Sequence, residues 1–551
     1  MPTQDEIAFP RLTPAQLEAL LPLGRCRPTT PGEILFREGE RAFDFFVVRR
    51  GEVEILEHSH GAAQVVTVHG PGEFTGDVDL LTGRGALVTA RVRTPGEVLQ
   101  LDEAALRRVV AEMPGLGDLL LRAFLMRRSL LLGHGYQGIR IIGSRFSPAA
   151  HQLREFAVRN AIPFTWLDVE QDEEAEALLR HFGVPAGATP VVITMDGQVL
   201  RNPSVTDLAA RLGLEMHPEP GAVHDLVVIG AGPAGLGAAV YAASEGLRTF
   251  VVDAIATGGQ AGTSTRIENY LGFPAGITGA ELTSRALLQA QRFGAQVSVP
   301  QAAVRLRRDG GRYAVVLDDG TALAARCVLV ASGAEYRRLE VPGIERWEGA
   351  GVYYAATALE ARLCAGDAVA VVGGGNSAGQ AAVYLARFAR RVHLVVRGPD
   401  LDRSMSRYLI DRIEHLDPVQ VHLRATVVAV EGDEALEAVT LRAADSGAET
   451  RLPVRTLFVL IGAVPHTAWL GDCVRLDRRG FVLTGPAIPA DALADAAWAA
   501  AGRPPFLLET SLPGVFAAGD VRSGSVKRVA SAVGEGAMAV SFVHAHLAAA
   551  Q

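Results

Sequence analysis

Apolar and polar residues alternate along much of the first hundred positions. From about Phe36 to Val98 the alternation has a period of two and is interrupted by glycines, a pattern typical of short strands in a small β-roll or barrel. The next run, LDEAALRRVVAEMPGLGDLLLRAFLMRR, has helical periodicity and predicts helices that pack against the roll. We therefore expect a first domain over residues 10–130.

From Gly138 the pattern changes to strands that alternate with helices. The apolar runs IRIIG, FTWLDV and VVITM predict strands, and the helical runs between and after them end with VTDLAARLG. We therefore expect a small α/β domain over residues 137–215.

Two longer charge-free stretches, Leu226–Ala243 and Ala368–Ala386, are long enough to span a membrane. Glycine clusters interrupt both, so a strand, a glycine turn and a helix explain each of them better. The first residues lack a basic stretch followed by an apolar run, which argues against a secretory signal. We expect a cytoplasmic protein with no membrane segment.

Composition narrows the function classes. The 551 residues carry 53 basic and 61 acidic side chains, a net charge of −8, which gives no general attraction to nucleic acid. The four cysteines, Cys26, Cys327, Cys364 and Cys473, include no Cys-x-x-Cys pair. No spacing of ligands suggests a metal site.

A dinucleotide fingerprint begins at the first charge-free stretch. The strand DLVVIG runs into a glycine turn and a helix, and Asp253 ends the next strand at the spacing expected for a ribose contact. Glycines allow the tight turn, and the helix N-terminus attracts the pyrophosphate. The predicted cofactor-binding residues here are Gly230, Gly232, Pro233, Ala234, Gly235 and Asp253.

The second charge-free stretch carries a related unit. AVAVVGGGNSAGQ places Gly373 and Gly375 after a strand, and Ala378 stands at the third fingerprint position, where alanine often replaces glycine. Asn376 and Ser377 complete this predicted cofactor-binding set.

Further motifs resemble the FAD-dependent pyridine nucleotide-disulfide oxidoreductases, and thioredoxin reductases in particular. Gly258-Gly259-Gln260 with IENY, then VFAAGDV, then RVA and GEG, match that family's flavin segments in order. The resemblance implies FAD contacts from Gly259, Gln260, Asn269, Gly519, Asp520, Arg528, Val529 and Ala530. It also implies two interleaved Rossmann-like domains: FAD over 222–345 and 468–551, NAD(P)H over 346–467.

The same resemblance implies NADPH as the electron donor. The family grips the ribose phosphate with several arginines after the strand that follows the second glycine turn, and Arg397 keeps one of them. We therefore expect NADPH, with NADH as the alternative. The family also implies a homodimer.

One departure from the family changes the expected chemistry. Thioredoxin reductases pass electrons through a Cys-Ala-Thr-Cys run, and this chain has Ala355-Ala356-Thr357-Ala358 in the corresponding place. Disulfide reduction by that route should fail, whereas hydride transfer from nicotinamide to flavin needs no protein thiol. We expect Cys364, six residues further on, to be structural.

The two front domains resemble known modules whose key residues are replaced. The first resembles cyclic-nucleotide-binding domains, but Asp77 stands for the ribose-binding glutamate, and Ala86 or Leu87 stands for the phosphate-binding arginine, with Arg84 the one basic residue near. A buried phosphate needs such a charged partner, so we expect a docking or regulatory role rather than cyclic-nucleotide binding. The second resembles a thioredoxin or glutaredoxin fold with its proline at Pro190, but Ser144 and Ser147 occupy the dithiol positions, which predicts a redox-silent domain.

Three functions remain open at this point. The chain is an oxidoreductase that passes electrons from NAD(P)H through FAD to an unidentified small molecule or redox protein, or a reductase that borrows the dithiol of a partner. The third function is a redox or nucleotide sensor with little turnover.

Overall fold

The computed structural model describes most of the chain. Described are residues 3–41, 43–57, 63–76, 79–82, 85–133, 138–185, 188–195, 197–219, 221–264, 267, 270–348, 351–354, 356, 358–433, 435–494 and 496–549. They form two compact units. The first comprises Met1–Ile142, Ala161–His217 and Ala286–Pro300, and the second comprises Gly143–Asn160, Pro218–Arg285 and Gln301–Gln551.

The N-terminal elements form an antiparallel roll with helices. They are α1 (Gln4–Ala8), α2 (Pro14–Leu20), β1 (Arg25–Pro28), β2 (Ile34–Phe36), β3 (Phe45–Glu57), β4 (Gln64–His69), α3 (Asp79–Thr82), β5 (Thr89–Leu101), α4 (Glu103–Glu112) and α5 (Pro114–Gly133). The strand order is β1-β5-β3-β4, with β2 also paired to β5. Inward-facing phenylalanines of β3 pack against α5, where Phe45 meets Phe124 edge-on, and this burial of aromatic surface stabilises the roll.

The next elements match the α/β pattern of the sequence. They are β6 (Ile139–Gly143), α6 (Pro148–Arg159), β7 (Phe164–Asp168), α7 (Glu173–His181), β8 (Val191–Ile193), β9 (Val199–Arg201) and α8 (Val205–Leu212). The strands are ordered β7-β6-β8-β9, and the Thr189–Pro190 peptide before β8 is cis. Helix α6 belongs to the second unit, and the domain bounds of 137–215 stay a prediction. The thioredoxin-like assignment stays a prediction.

The remaining elements begin with a mixed sheet. They are β10 (Val223–Ile229), α9 (Pro233–Ser244), β11 (Thr249–Val252), α10 (Gly259–Gly262), α11 (Gly279–Arg292), β12 (Gln296–Ser298), β13 (Ala303–Asp309), β14 (Arg312–Leu317), β15 (Ala322–Val330) and β16 (Ala334–Tyr336). Strand β10 lies between β11 and β15 and is parallel to both, while β14 and β13 continue antiparallel from β15. A parallel strand from the end of the chain completes this sheet on β15.

A second, fully parallel sheet lies between those two parts of the chain. Its region holds β17 (Val352–Tyr353), α12 (Ala358–Leu363), β18 (Ala368–Val372), α13 (Asn376–Leu385), β19 (Arg391–Val396), α14 (Arg407–Glu414), β20 (Val419–Leu423), β21 (Ala425–Gly432), β22 (Leu436–Ala443), β23 (Glu449–Leu452) and β24 (Thr456–Val459). The order β17-β24-β18-β19-β20 places helices after buried strands, as in other parallel α/β sheets. A separate antiparallel sheet is formed by β21, β22 and β23.

The chain then returns to the first of these sheets. The last elements are β25 (Ala463–Pro465), α15 (Ala496–Ala501), β26 (Val515–Ala517) and α16 (Val529–Ala549). Strand β25 pairs antiparallel with β16, so the segment that leaves the mixed sheet and the segment that returns to it lie side by side. Strand β26 then joins β15. The parallel sheet is thus formed by a segment of the chain that lies between the two segments of the mixed sheet, and the interleaved domain bounds stay a prediction.

Candidate dinucleotide sites

The first predicted fingerprint forms a tight turn between β10 and α9. Gly230 has φ +105°, and a side chain there would overlap the carbonyl oxygen of Ala331. A side chain on Gly235 would likewise overlap the carbonyl oxygen of Gly230. Both positions therefore require glycine, for backbone conformation and for close approach.

Helix α9 presents an uncapped N-terminus at this turn. Thr13 and Ser204 cap their helices with side-chain oxygens, whereas Gly232 before α9 offers none. Pro233 occupies the first helical position and buried Ala234 follows it. Uncapped amides and the helix dipole make such a terminus suited to a phosphate. A Cβ on Gly232 would meet only the Cα of Gly259, at 3.8 Å, so the glycines leave room for a pyrophosphate.

Asp253 lies where the spacing predicted it, but its carboxylate turns back to the protein. Oδ2 accepts a hydrogen bond from the backbone N–H of Ala231 at 2.8 Å, and Oδ1 accepts from Ile255 at 3.0 Å and Ala256 at 3.1 Å. Its observed role is thus to fix the glycine turn. The predicted ribose contact is not tested by this arrangement, since carboxylate oxygens have further acceptor sites.

The second flavin motif packs directly on the first. Gly519 follows β26 and donates its backbone N–H to Glu535 Oε2 at 2.7 Å, and Arg522 pairs with the same carboxylate at 2.6 Å. A side chain on Gly536 would overlap the carbonyl oxygen of Ala234, so α16 crosses the first turn of α9 in close contact. The two motifs, almost 300 positions apart in sequence, therefore form one site.

Asp520 is an acidic residue of this site, next to Gly519. Burial raises its pKa, and the neighbouring Lys527 opposes that shift. The Lys527 ammonium donates to the backbone carbonyl of Asp520 at 2.6 Å, and burial lowers the pKa of Lys527. Asp520 and Lys527 therefore lie together at the turn where the resemblance implies a contact with the ribitol chain of FAD.

The other predicted flavin residues that the structure describes lie in α10 and at the start of α16. Gln260 donates its side-chain amide to the carbonyl of Ala334. Arg528 immediately precedes α16, whose first two residues are Val529 and Ala530. Asn269 lies outside the described residues.

The second fingerprint repeats the geometry between β18 and α13. Gly373 has φ +147°, and a side chain there would overlap the carbonyl oxygen of Leu460. Gly375 precedes α13 without a side-chain cap, as at α9. Asn376, which the sequence assigned to the cofactor, accepts a hydrogen bond from the backbone N–H of Ser406 at 2.6 Å, while Ser377 is exposed. Asn376 therefore holds the neighbouring loop against the turn.

Arg397 extends from the end of β19, next to this turn. It is exposed and forms no hydrogen bond or salt bridge with any of the described residues. A guanidinium in this position is available for a phosphate. The 401–406 loop reaches the same place, since the Ser404 hydroxyl donates to the carbonyl of Gly374 at 2.8 Å.

The sequence position of the missing dithiol lies at the start of α12. Ala355 is outside the described residues, and Ala358 begins the helix. Cys364 is fully buried, and burial raises the pKa of its thiol to about 12. All four cysteines are free thiols. The structural role predicted for Cys364 fits this burial, because a thiol with so high a pKa supplies almost no thiolate near neutral pH.

In the N-terminal roll, the position predicted for a phosphate-binding arginine is apolar and buried. Ala86 and Leu87 are 1% and 4% exposed, and Ala86 donates its N–H to the carbonyl of Glu40 at 3.0 Å. Asp77 and Arg84 lie outside the described residues.

An open cavity of about 480 Å³ adjoins the loop after Asp520. Positive charge predominates in its lining, which includes Asp477, Arg478, Arg479, Phe481, Arg522 and Lys527. Within the described part of the chain, the side chains of Arg478 and Arg479 form neither hydrogen bonds nor salt bridges. In a chain of net charge −8, this cavity is a local concentration of positive charge.

Comparison with known families identifies the class of protein. Residues 224–536 match the pyridine nucleotide-disulphide oxidoreductase family, and residues 27–113 match the cyclic nucleotide-binding domain. The chain therefore belongs to the pyridine nucleotide-disulphide oxidoreductases, with a cyclic nucleotide-binding-type domain in front. These two predicted resemblances are confirmed, whereas the thioredoxin-like resemblance of residues 137–215 stays a prediction.

Within that class the relatives are thioredoxin reductases. The chain is 36% identical over 318 residues to thioredoxin reductase of Mycolicibacterium smegmatis, covering 58% of this chain and 94% of that protein. It is 37% identical over 318 residues to bifunctional thioredoxin reductase/thioredoxin of Mycobacterium leprae, covering 58% of this chain and 64% of that protein, less than two thirds of its length.

Solved structures give the same result. Thioredoxin reductase of T. acidophilum matches with a TM-score of 0.52 and 28% identity, over 59% of this chain and 98% of that one. The Lactococcus lactis enzyme matches with a TM-score of 0.53 and 26% identity, over 59% and 99%. The family uses FAD and NADPH, and this chain is an FAD-dependent oxidoreductase of the thioredoxin reductase-like type. Within the described residues, no helix has both the length and the hydropathy to cross a membrane.

Proposed function

We propose that the chain binds NADPH at the Gly373 turn and FAD at the Gly230 turn, passes a hydride from NADPH to FAD, and delivers electrons to an acceptor without a dithiol of its own. The observation that carries this proposal is the pair of uncapped glycine-turn helices, α9 and α13, within one compact unit. Two such helix N-termini suit the pyrophosphate groups of two dinucleotides.

The chain's own residues would position both cofactors. The first-turn amides of α9 would bind the FAD pyrophosphate, and Asp520 would accept a hydrogen bond from a hydroxyl of the ribitol chain. The first turn of α13 would bind the NADPH pyrophosphate, with Arg397 near the ribose phosphate. The bound cofactors supply the hydride and two-electron chemistry.

The lack of a dithiol sets the kind of acceptor. The sequence contains no Cys-x-x-Cys, and burial raises the pKa values of Cys327 and Cys364 to about 12. Neither buried thiol is suited to exchange with a disulfide. We infer that Ala355 and Ala358 replace the family's cysteines, so the acceptor must take electrons directly from the flavin.

An anaerobic titration tests the cofactor half of the proposal. Purified protein should be yellow, and NADPH should bleach the flavin absorbance, with NADH weaker. A colourless protein that cannot be reconstituted with FAD, or a flavin spectrum unchanged by either nucleotide, would disprove it.

Steady-state oxidation of NADPH tests the acceptor half. We expect turnover with quinones, ferredoxin or oxygen and none with thioredoxin alone. Turnover with thioredoxin alone would contradict a dithiol-free route. If flavin reduction is normal but no acceptor supports turnover, the protein acts as a sensor instead.

A further inference from the structure

Helix α6 lies outside the segment that matches the oxidoreductase family, yet it belongs to the same compact unit. The match begins at residue 224, whereas residues 143–160 group with the two nucleotide-binding sheets. Ser147 caps the helix by accepting from the N–H of Ala150. Helix α6 is thus an integral part of the second unit, which contains the oxidoreductase segment.

The first half of α6 contacts the NAD(P)H-binding part. The rings of His151 and Tyr353 have centroids 5.1 Å apart, and Tyr353 packs in turn on Phe458 at 5.9 Å. His151 Nε2 lies 3.9 Å from Glu360 Oε1 on α12, and both side chains are at most 8% exposed. The helix therefore joins the core of this part through a buried contact.

The other end of α6 contacts the FAD-binding part. Asn160 follows the helix, is 1% exposed, and donates its side-chain amide to the carbonyl of Ile255 at 3.4 Å. The N–H of Ile255 donates to Asp253, which also holds the Ala231 N–H of the glycine turn. Asn160 is therefore two hydrogen bonds away from the carboxylate that fixes the Gly230 turn.

We propose that α6 is a strut that restrains the relative orientation of the FAD-binding and NAD(P)H-binding parts, with His151 and Asn160 as positioning residues at its two ends. Twelve helical residues span about 18 Å, so α6 adds a further connection between the two parts beside the paired crossings β16 and β25. An enzyme without a dithiol has to bring one group to the flavin, the nicotinamide of NADPH. A fixed orientation of the FAD-binding and NAD(P)H-binding parts therefore suits it. The proposal concerns orientation and does not depend on the identity of the acceptor.

Distance measurements between spin labels test the strut directly. Exposed Ser244 on the FAD side and exposed Arg387 on the NAD(P)H side would be replaced by labelled cysteines, after Cys26 and Cys473 are changed to serine. Dilution with unlabelled protein removes distances between chains. The unaltered helix should give one narrow distance distribution, and the combined variant His151→Ala with Asn160→Ala should at least double its width.

Two control variants separate positioning from folding. Gln152→Ala alters the exposed face of α6 and should keep the narrow distribution. His151→Phe keeps a ring against Tyr353 and should also keep the narrow distance distribution. A combined alanine variant that retains its flavin and the narrow distribution would overturn the proposal. The proposal would also be overturned if His151→Phe broadened the distribution as much as the combined alanine variant does.

Anaerobic stopped-flow kinetics provide a second readout. The combined alanine variant should change the limiting rate of flavin reduction tenfold or more, in either direction, while the Kd for NADPH stays within twofold because the Gly373 turn is untouched. An unchanged limiting rate would argue against orientation control. If no flavin is bound, only the proposed function fails, because the distance measurement requires no turnover.

Discussion

Substitution of Gly536 by alanine should weaken FAD binding, whereas the same change two residues earlier should not. Gly536 and Gly534 both lie within α16. A Cβ at Gly536 would overlap the carbonyl oxygen of Ala234 and lie 3.0 Å from the carbonyl carbon, while a Cβ at Gly534 would meet nothing within 4 Å. The two variants thus add the same methyl group to the same helix in different surroundings.

The expected magnitude follows from the overlap at Ala234. Relief requires α16 and the first turn of α9 to separate by on the order of 1 Å, and such overpacking costs about 1–3 kcal/mol. Replacing a helical glycine by alanine returns about 0.5–1 kcal/mol in both variants. The difference between the variants is therefore the overpacking alone, which corresponds to roughly 5- to 150-fold in FAD affinity if the displaced α9 turn binds the pyrophosphate.

The assay is the flavin content per chain after dialysis, followed by a titration of the apoprotein with FAD. Gly536→Ala should lose flavin and bind it more weakly, and Gly534→Ala should resemble the unaltered protein and unfold at a slightly higher temperature. Equal FAD affinity in the two variants would refute the inference that close contact between α16 and α9 shapes the site.

Four further outcomes are expected. Iodoacetamide should leave Cys364 unmodified in the folded protein, as mass spectrometry would show, and should leave NADPH oxidation intact; modification of Cys364 with loss of activity would contradict a structural role. Glu509 is fully buried and accepts from Arg503 at 2.6 and 2.9 Å, so Glu509→Ala should lower the free energy of unfolding by about 3–5 kcal/mol in urea titrations, and a loss below 1 kcal/mol would show that the pair is dispensable. Replacement of both Arg478 and Arg479 by alanine should slow electron transfer to ferricyanide, and added salt should slow the unaltered protein likewise, while an uncharged quinone reports no change; equal effects on both acceptors would exclude the cationic cavity as their route. Burial lowers the pKa of His69 to about 4 from 6.5, so the unfolded chain binds a proton there that the folded roll does not, and His69 should contribute up to about 3 kcal/mol to the stability lost as the pH falls from 6.5 to 4. Burial also lowers the pKa values of His151 and His393 to about 4, so unfolding of His69→Phe monitored by circular dichroism should show a smaller loss rather than none.

The glycine turns could be predicted from sequence because each depends on local geometry. Gly230 and Gly373 adopt positive φ and approach a backbone carbonyl, and no other residue type satisfies both conditions, so the type and spacing of residues carry the information. Gly519 also has a positive φ, +77°, at the turn before Asp520, and a side chain there would crowd the Cβ of Ala234. Site features that depend on backbone shape were therefore visible before any fold was known.

The direction of a side chain could not be predicted from the sequence in the same way. Asp253 and Asn376 stand at the expected positions, yet both use their oxygens to hold backbone N–H groups. Spacing fixes where a residue enters the turn, but the choice between a ligand and a neighbouring amide depends on which donors the fold brings near. Asp253 has one methylene fewer than glutamate, and this short reach keeps its carboxylate at the turn.

Helix α6 marks the limit of prediction from pattern alone. Its helical period is local and was sufficient to predict a helix, and the structure adds the Ser147 cap. Its partners, Tyr353, Glu360 and Ile255, lie about 100 to 200 positions further along the chain, and nothing in PAAHQLREFAVRN distinguishes a histidine that faces a neighbouring core from one that faces water. A helix with apolar residues on one side and buried polar residues on another is therefore informative only once its neighbours are known. Here Tyr353, Glu360 and Ile255 show that α6 contacts both parts of the oxidoreductase unit.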